Sequence, residues 1–165
     1  MTPPLGIGVI GTGNISMTYM RNAALFADLR LVACADLSAG AAAARAAEYG
    51  VRALAVDALL ADPEVDLVLN LTVPSAHVAV TLAALSAGKH VFTEKPLATS
   101  VAEAQALVDA VNRSKGAPGD MTAADIAAYR AKERPPVCGR YRQWRICGMG
   151  PPSSGGTAVF AILKQ

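Results

Sequence analysis

Ile7-Gly-Val-Ile-Gly11-Thr-Gly13-Asn-Ile-Ser16 is an apolar run ending in a glycine turn, and the next apolar run, Leu29-Arg-Leu-Val-Ala-Cys-Ala-Asp36, closes on a carboxylate. The first stretch predicts a strand that leads straight into a helix. Gly11 takes the tight turn, and Gly13 lacks the Cβ that would hold the backbone away from a ligand. The helix that follows offers unpaired N–H groups and the positive end of its dipole, so the chemical complement of this turn is an anion. Asp36 stands twenty residues beyond Ser16, the spacing at which a carboxylate on the neighbouring strand accepts both hydroxyls of a ribose. Together these features predict a dinucleotide. NAD is expected rather than NADP, because a 2′-phosphate would meet like charge. Ser16 occupies the place of the usual third glycine and is small enough for close helix–strand packing. A plain glycine turn in some other α/β protein is the competing reading, and the correctly spaced Asp36 tells against it.

The rest of the first two thirds of the chain keeps alternating strand and helix signals. Strands are predicted at Leu5 to Ile10, Leu29 to Ala35, around Arg52 to Val56, Asp66 to Leu71 and His90 to Thr93, with helices between them. Ala39 to Tyr49 is rich in helix-favouring alanine and stops at Gly50. Ser75 is expected to cap a helix through Ala87. Ser100 and Glu103 form a capping box before Val101, Ala104, Val108 and Val111, which share one helical face. This pattern predicts an α/β fold: a Rossmann-type, doubly wound parallel sheet followed by a short irregular C-terminal segment. Beyond Arg113 the alternation stops. A turn-rich stretch leads to a short helix capped by Thr122 and Asp125, Arg134-Pro-Pro136 breaks it, and Tyr141 to Met149 reads as a strand.

Composition sets outer bounds. The 165 residues suffice for one ordinary domain, and no run reaches the roughly 18 to 20 apolar residues of a membrane span. With no basic segment ahead of an apolar one at the start, a secretory signal is not expected and the cytoplasm is the predicted compartment. Cys34, Cys138 and Cys147 have no metal-ligand spacing, so no metal is expected and all three are read as reduced thiols, with Cys34 a small core residue. Residues 1–112 hold six Lys/Arg against ten Asp/Glu (−4), and residues 113–165 hold nine against three (+6). The basic residues of the second part are scattered among prolines, which favours a solvated face over nucleic-acid binding.

Leu71-Thr-Val-Pro74-Ser-Ala-His77 and Ala87-Gly-Lys-His90-Val-Phe-Thr-Glu94-Lys95-Pro96, taken with the glycine turn, resemble the N-terminal domain of the Gfo/Idh/MocA oxidoreductases over residues 5–112. The resemblance implies NAD(P)-dependent hydride transfer with a sugar or polyol hydroxyl. It places Gly11, Gly13, Asn14 and Ile15 at the pyrophosphate and Asp36 at the adenosine ribose. Thr72, Pro74 and His77 then border the nicotinamide, and Glu94 and Lys95 lie beside the nicotinamide ribose and substrate. Lys95 becomes the candidate catalytic residue, which as a cation polarises the reacting hydroxyl or as a neutral amine deprotonates it. Plainer readings stand beside these. His77 is equally read as bonding backbone at a helix start, Glu94 and Lys95 as an exposed charge pair, Pro74 and Pro96 as strand terminators, and His90 as structural.

Residues 119–163, including Arg134-Pro-Pro-Val-Cys-Gly-Arg-Tyr141-Arg and Met149-Gly-Pro-Pro-Ser-Ser-Gly-Gly156, resemble a piece of γ-glutamyltransferase without its nucleophilic threonine. The expected organisation is a dinucleotide-binding domain over 1–113, a linker over 114–120, and over 121–165 a fragment that is not an independent domain. The expected protein is a truncated or fused oxidoreductase, catalytically incomplete. A non-catalytic nucleotide-binding module is the alternative, and a γ-glutamyltransferase-like hydrolase fragment a more distant one. The family's sixth strand is missing from this pattern. The edge of the fifth strand, around Val91 and Phe92, is therefore exposed to self-association unless Tyr141 to Met149 covers it.

Overall fold

Ile10, Ala35, Asn70 and Thr93 lie level across one parallel sheet, and that alignment decides where everything else goes. In the computed structural model, which describes residues 3–113 and 119–165, the strands are β1 (Leu5–Ile10), β2 (Leu29–Ala35), β3 (Arg52–Ala53), β4 (Leu67–Asn70) and β5 (His90–Thr93). Their order is β3-β2-β1-β4-β5, with every pairing parallel. Ile10 pairs with both Ala35 and Asn70, and Asn70 pairs with Thr93. The residues that follow, Gly11, Asp36, Leu71 and Glu94, therefore emerge along a single edge. The chain reverses its direction of winding between β1 and β4, and the carboxyl ends of strands at such a point form the natural crevice of an open sheet.

Helices pack on both faces of the sheet, which explains why its central strands read as apolar runs rather than as alternating patterns. Ile7, Val9, Cys34, Leu69 and Leu71 pack with Met20 of α1 (Asn14–Ala23) and Ala46 of α2 (Ala39–Tyr49) on one side. Ile10, Val32, Ala33 and Val68 pack with Leu59 and Leu60 of α3 (Val56–Ala61) and Ala84 of α4 (His77–Ser86) on the other. Cys34 is a buried free thiol, and burial pushes its pKa up.

Helix α2 has the expected bounds, with Ser38 as its N-cap and Gly50 in the left-handed conformation at its end. The capping box of α5 (Val101–Asn112) is also present, with Ser100 Oγ accepting from the Glu103 N–H and Glu103 reaching back to the Ser100 N–H. The inward face of α5 carries Val108, buried, with Ala104 and Val111 half-buried, as expected; Leu107 is buried as well, and Val101 is exposed. Ser75 does not cap α4. Pro74–Ala76 forms a 3₁₀ turn that leads directly into α4, so Ser75 lies inside a turn instead of ahead of a helix. The third strand is also shorter than expected, because Val56 already begins α3.

The chain divides into two compact units, Met1–Ala128 and Tyr129–Gln165. The short helix α6 (Ala123–Ala128) belongs to the first and packs on α5, with Thr122 and Asp125 bonded reciprocally at its start. Positions 114–118 of the expected linker lie outside the described residues. The second unit is an antiparallel hairpin, β6 (Val137–Tyr141) and β7 (Trp144–Gly148), followed by α7 (Gly155–Leu163). Its strands pair with each other, so the segment Tyr141 to Met149 adds no strand to the five-stranded sheet, as one reading of the sequence had allowed. The expectation of three reduced thiols also fails. Antiparallel register sets Cys138 opposite Cys147 with their Cα atoms 4.1 Å apart, and the two are joined by a disulfide. The spacing along the chain gave no hint of this because register, not sequence separation, brings the pair together.

Replacing Ser100 with Ala is expected to lower the unfolding free energy by about 1 kcal/mol, as read from the midpoint of urea denaturation.

Candidate active site

The glycine turn is built so that its two glycines do different work. Gly11 has φ +96°, and a Cβ there would lie 2.6 Å from the Leu71 carbonyl oxygen, so the close approach of β1 and β4 forbids a side chain. Gly13 has an ordinary φ of −68°, and a Cβ there would meet no protein atom within 4 Å. The space it leaves open is that of the cleft. Helix α1 begins at this point with no side chain capping it, and its first turn carries Asn14 and Ile15, both exposed. Ser16 is fully buried, with its hydroxyl donating to the Gly13 carbonyl at 2.7 Å, which fits the packing role expected of a small residue.

Asp36 faces this turn across the cleft. Its Oδ2 accepts from the Thr12 N–H at 2.8 Å and from the Thr12 hydroxyl at 2.9 Å, and its Oδ1 accepts from the Ser38 N–H at 2.9 Å. Burial pushes this carboxyl up. The hydrogen bonds from Thr12, Ser38 and Leu37 outweigh burial, so it sits below its ordinary value. A cleft of about 400 Å³ is lined by Gly11, Gly13, Asn14, Ile15, Asp36 and Thr72, together with Ile10, Leu37, Val56, Leu71, Val73, Ala76 and Val80. Six of the ten candidate residues thus meet in one concavity, at the level ends of β1, β2 and β4. An uncapped helix start, an open Cβ position and a fixed carboxylate are what a diphosphate and a ribose require.

Pro74, His77, Glu94 and Lys95 are not among the lining residues of that cleft. His77 is 1% exposed, with Nδ1 2.7 Å from the Pro96 carbonyl and Nε2 3.0 Å from the Thr72 carbonyl. It ties the loop after β4 to the loop after β5. Glu94 turns toward α1, where its Oε1 accepts from the Tyr19 hydroxyl at 2.5 Å and its Oε2 from the Lys95 N–H at 3.1 Å. The Tyr19 bond holds the Glu94 carboxyl below its usual range and raises the phenol. Glu94 lines a separate, largely apolar groove of about 500 Å³ with Ile7, Tyr19, Phe26, Leu69 and Phe92. That groove is larger, and its polar lining is Thr18, Tyr19, Asn22 and Glu94, with Tyr19 and Glu94 bonded to each other. Lys95 is exposed at the strand edge, and among the described residues no three metal-ligating side chains come together.

Two residues that the sequence did not single out organise this edge. Thr12 is 5% exposed and supplies two donors to Asp36. Asn70 is fully buried, and its Nδ2 donates to the His77 carbonyl and the Thr81 hydroxyl. Its Oδ1 accepts from the Thr72 hydroxyl at 2.7 Å. An asparagine within the apolar run Leu67-Val-Leu-Asn-Leu71 was the available signal, since a buried amide must find partners.

With this geometry in place, the chain can be set beside known proteins. The Gfo/Idh/MocA oxidoreductase family, NAD-binding Rossmann fold, matches residues 5–117. An inositol 2-dehydrogenase of Gluconacetobacter diazotrophicus is 38% identical over 110 residues, covering 64% of this chain and 33% of that protein. Among solved structures, the WlbA dehydrogenase from Bordetella pertussis, in complex with NADH and UDP-GlcNAcA, superposes with a TM-score of 0.62 at 28% identity.

 The WlbA match spans 65% of this chain and 33% of that one. The biliverdin reductase of Synechocystis sp. PCC 6803, in complex with biliverdin and NADP+, gives a TM-score of 0.61 at 36% identity, over 65% of this chain and 34% of that one. The chain thus spans about one third of the length of the relatives it matches. Gamma-glutamyltranspeptidase matches residues 78–165. Where the two family matches overlap, at 78–117, β5 is a strand of the parallel sheet, α4 packs on it and α5 packs on α4.

Two measurements check this site. Gly13→Val is expected to leave stability within about 0.5 kcal/mol of the parent while abolishing dinucleotide binding. Gly11→Ala is expected to cost at least about 1 to 2 kcal/mol through its left-handed conformation alone. Urea denaturation and ligand titration of the same two variants separate these effects. The pH dependence of stability follows from the lowered carboxyl of Asp36. Its contribution is complete above the unfolded value of about 3.9 and is lost as pH falls through the lower folded value. Asp36→Asn is therefore expected to flatten the acid limb of stability against pH, measured by denaturation at a series of pH values.

Proposed function

The chain belongs to the Gfo/Idh/MocA oxidoreductase family through residues 5–117, and from that premise we propose that Gly11, Gly13, Asn14, Ile15, Asp36 and Thr72 hold NAD in the cleft at the ends of β1, β2 and β4. The observation that carries this reading is the opposition of Asp36 and the uncapped start of α1 across that cleft. The N–H groups of the first turn meet the diphosphate and the carboxylate meets the adenosine ribose. When bound, the nicotinamide supplies the hydride acceptor for oxidation of a sugar or polyol hydroxyl. Pro74 and His77 then flank the nicotinamide side through the loops they shape, and Glu94 orients the strand end that carries Lys95. Lys95 would take the proton of the reacting hydroxyl as a neutral amine, or stabilise the developing alkoxide as a cation.

The chain is further proposed to be catalytically incomplete, a truncated or fused form with a dinucleotide-binding domain over 1–113, a linker over 114–120 and a γ-glutamyltransferase-like fragment over 121–165. After Arg113 no described segment adds a strand to the sheet. The second unit leaves Trp144, Met149, Val159 and Ile162 exposed and buries no large apolar side chain. A substrate held loosely relative to the nicotinamide costs 10²-fold or more in rate. The same observation favours the second reading, a nucleotide-binding module without turnover. The outer edge of β5, at the end of the strand order, is proposed as a site of self-association.

No helix among the described residues is long and apolar enough to cross a membrane. We place the chain in the cytoplasm; the Cys138–Cys147 bond is the observation that speaks against this, because reducing compartments keep thiols.

Titration with NADH, followed by fluorescence, is expected to give saturable binding in the parent chain, with no reduction of NAD in the presence of myo-inositol. Absence of binding would remove the cofactor site, and steady turnover would remove the proposal of catalytic incompleteness.

A further inference from the structure

Discrimination between two dinucleotides that differ by one phosphate requires more than the presence of a carboxylate. The carboxylate must be ionised, and it must be unable to swing aside when the phosphate approaches. Asp36 has donors around both oxygens: the Thr12 N–H and hydroxyl on Oδ2, the Ser38 N–H on Oδ1, and the Leu37 N–H as well. These donors fix the plane of the carboxylate and favour its charged form.

We propose that Thr12 is the positioning residue that sets the preference for NAD over NADP, by pinning Asp36 Oδ2 so that the carboxylate cannot rotate away from a 2′-phosphate. The inference rests on the cofactor site proposed above. Thr12 is suited to this task because it is itself held. It is 5% exposed, and its carbonyl accepts from Arg45 Nη2 of α2 at 3.4 Å. Arg45 is in turn paired with Glu48, with only 14% of its side chain exposed. Arg45 is therefore engaged by the Thr12 carbonyl and by Glu48. No lysine or arginine lines the cleft among the described residues, so no cation is placed to offset the repulsion between the carboxylate and a 2′-phosphate.

Thr12→Val removes the hydroxyl donor at nearly constant volume and retains the N–H bond. Loss of a hydrogen bond to a charged group is expected to narrow the NADH-to-NADPH affinity ratio about tenfold, mainly by relieving the penalty on NADPH. Thr12→Ser keeps the donor and is expected to retain the parent ratio. Fluorescence titration of the full chain with NADH and with NADPH, for parent, Thr12→Val and Thr12→Ser, tests this, with Thr12→Ala measured alongside in case the valine disturbs packing. A ratio unchanged in Thr12→Val and Thr12→Ala, or equal weakening of both ligands, overturns the inference and leaves the cofactor site standing. A parent that binds neither ligand overturns the site and this inference together.

Discussion

One carboxylate oxygen couples the two halves of the cleft. Asp36 Oδ2, just past β2, accepts both the main-chain N–H and the hydroxyl of Thr12, which lies between the glycines just past β1. The turn cannot move without moving the end of the neighbouring strand. The sheet supplies the rest of the constraint. The ladder continues one residue beyond the strands, with the Gly11 N–H donating to Ala35, Leu71 to Ile10 and Glu94 to Asn70. The first residues outside β1, β4 and β5 are thereby held in the ladder of the sheet. A site on such a frame is preformed, so binding spends little on ordering the protein.

The far side of the edge is organised by buried polar groups. Asn70 and His77 have no access to solvent, and their bonds go to the loops after β4 and β5 rather than outward. Each would be costly to bury unpaired, and the pairing found here turns that cost into shape. His77 spans the Thr72 and Pro96 carbonyls, so the segment bearing Glu94 and Lys95 is positioned relative to the cleft by a residue that does not reach it. Glu94 adds a second tie through Tyr19 of α1. The two loops that carry the family's signature residues are thus set by side chains pointing away from the cleft.

The parts legible in the sequence were those fixed by local chemistry. Gly11 announced the turn, Gly50 the end of α2, and Ser100 with Glu103 the start of α5, because each answers a requirement set within a few residues, and Asp36 was legible from its spacing behind the turn. The parts that were not legible depend on register or on long-range partners. Thr12 looked like an interchangeable residue between two glycines until Asp36 was found 24 positions away on its hydroxyl. Cys138 and Cys147 became a pair only through hairpin register. Ser75 satisfied the composition of a cap, but Pro74 started a tighter turn one residue earlier. The Glu94 carboxylate turned toward Tyr19, a preference that no pattern within its own strand records.

The central claim is that the amides of the first turn, facing Asp36, receive a dinucleotide. Backbone amide chemical shifts of the full chain, recorded as NAD is added, test it most directly. Progressive shifts are expected at Gly11, Gly13, Asn14, Ile15 and Asp36, with the hairpin amides of Val137–Tyr141 unmoved. Shifts confined to other residues, with the turn amides unchanged at saturating NAD, would contradict it.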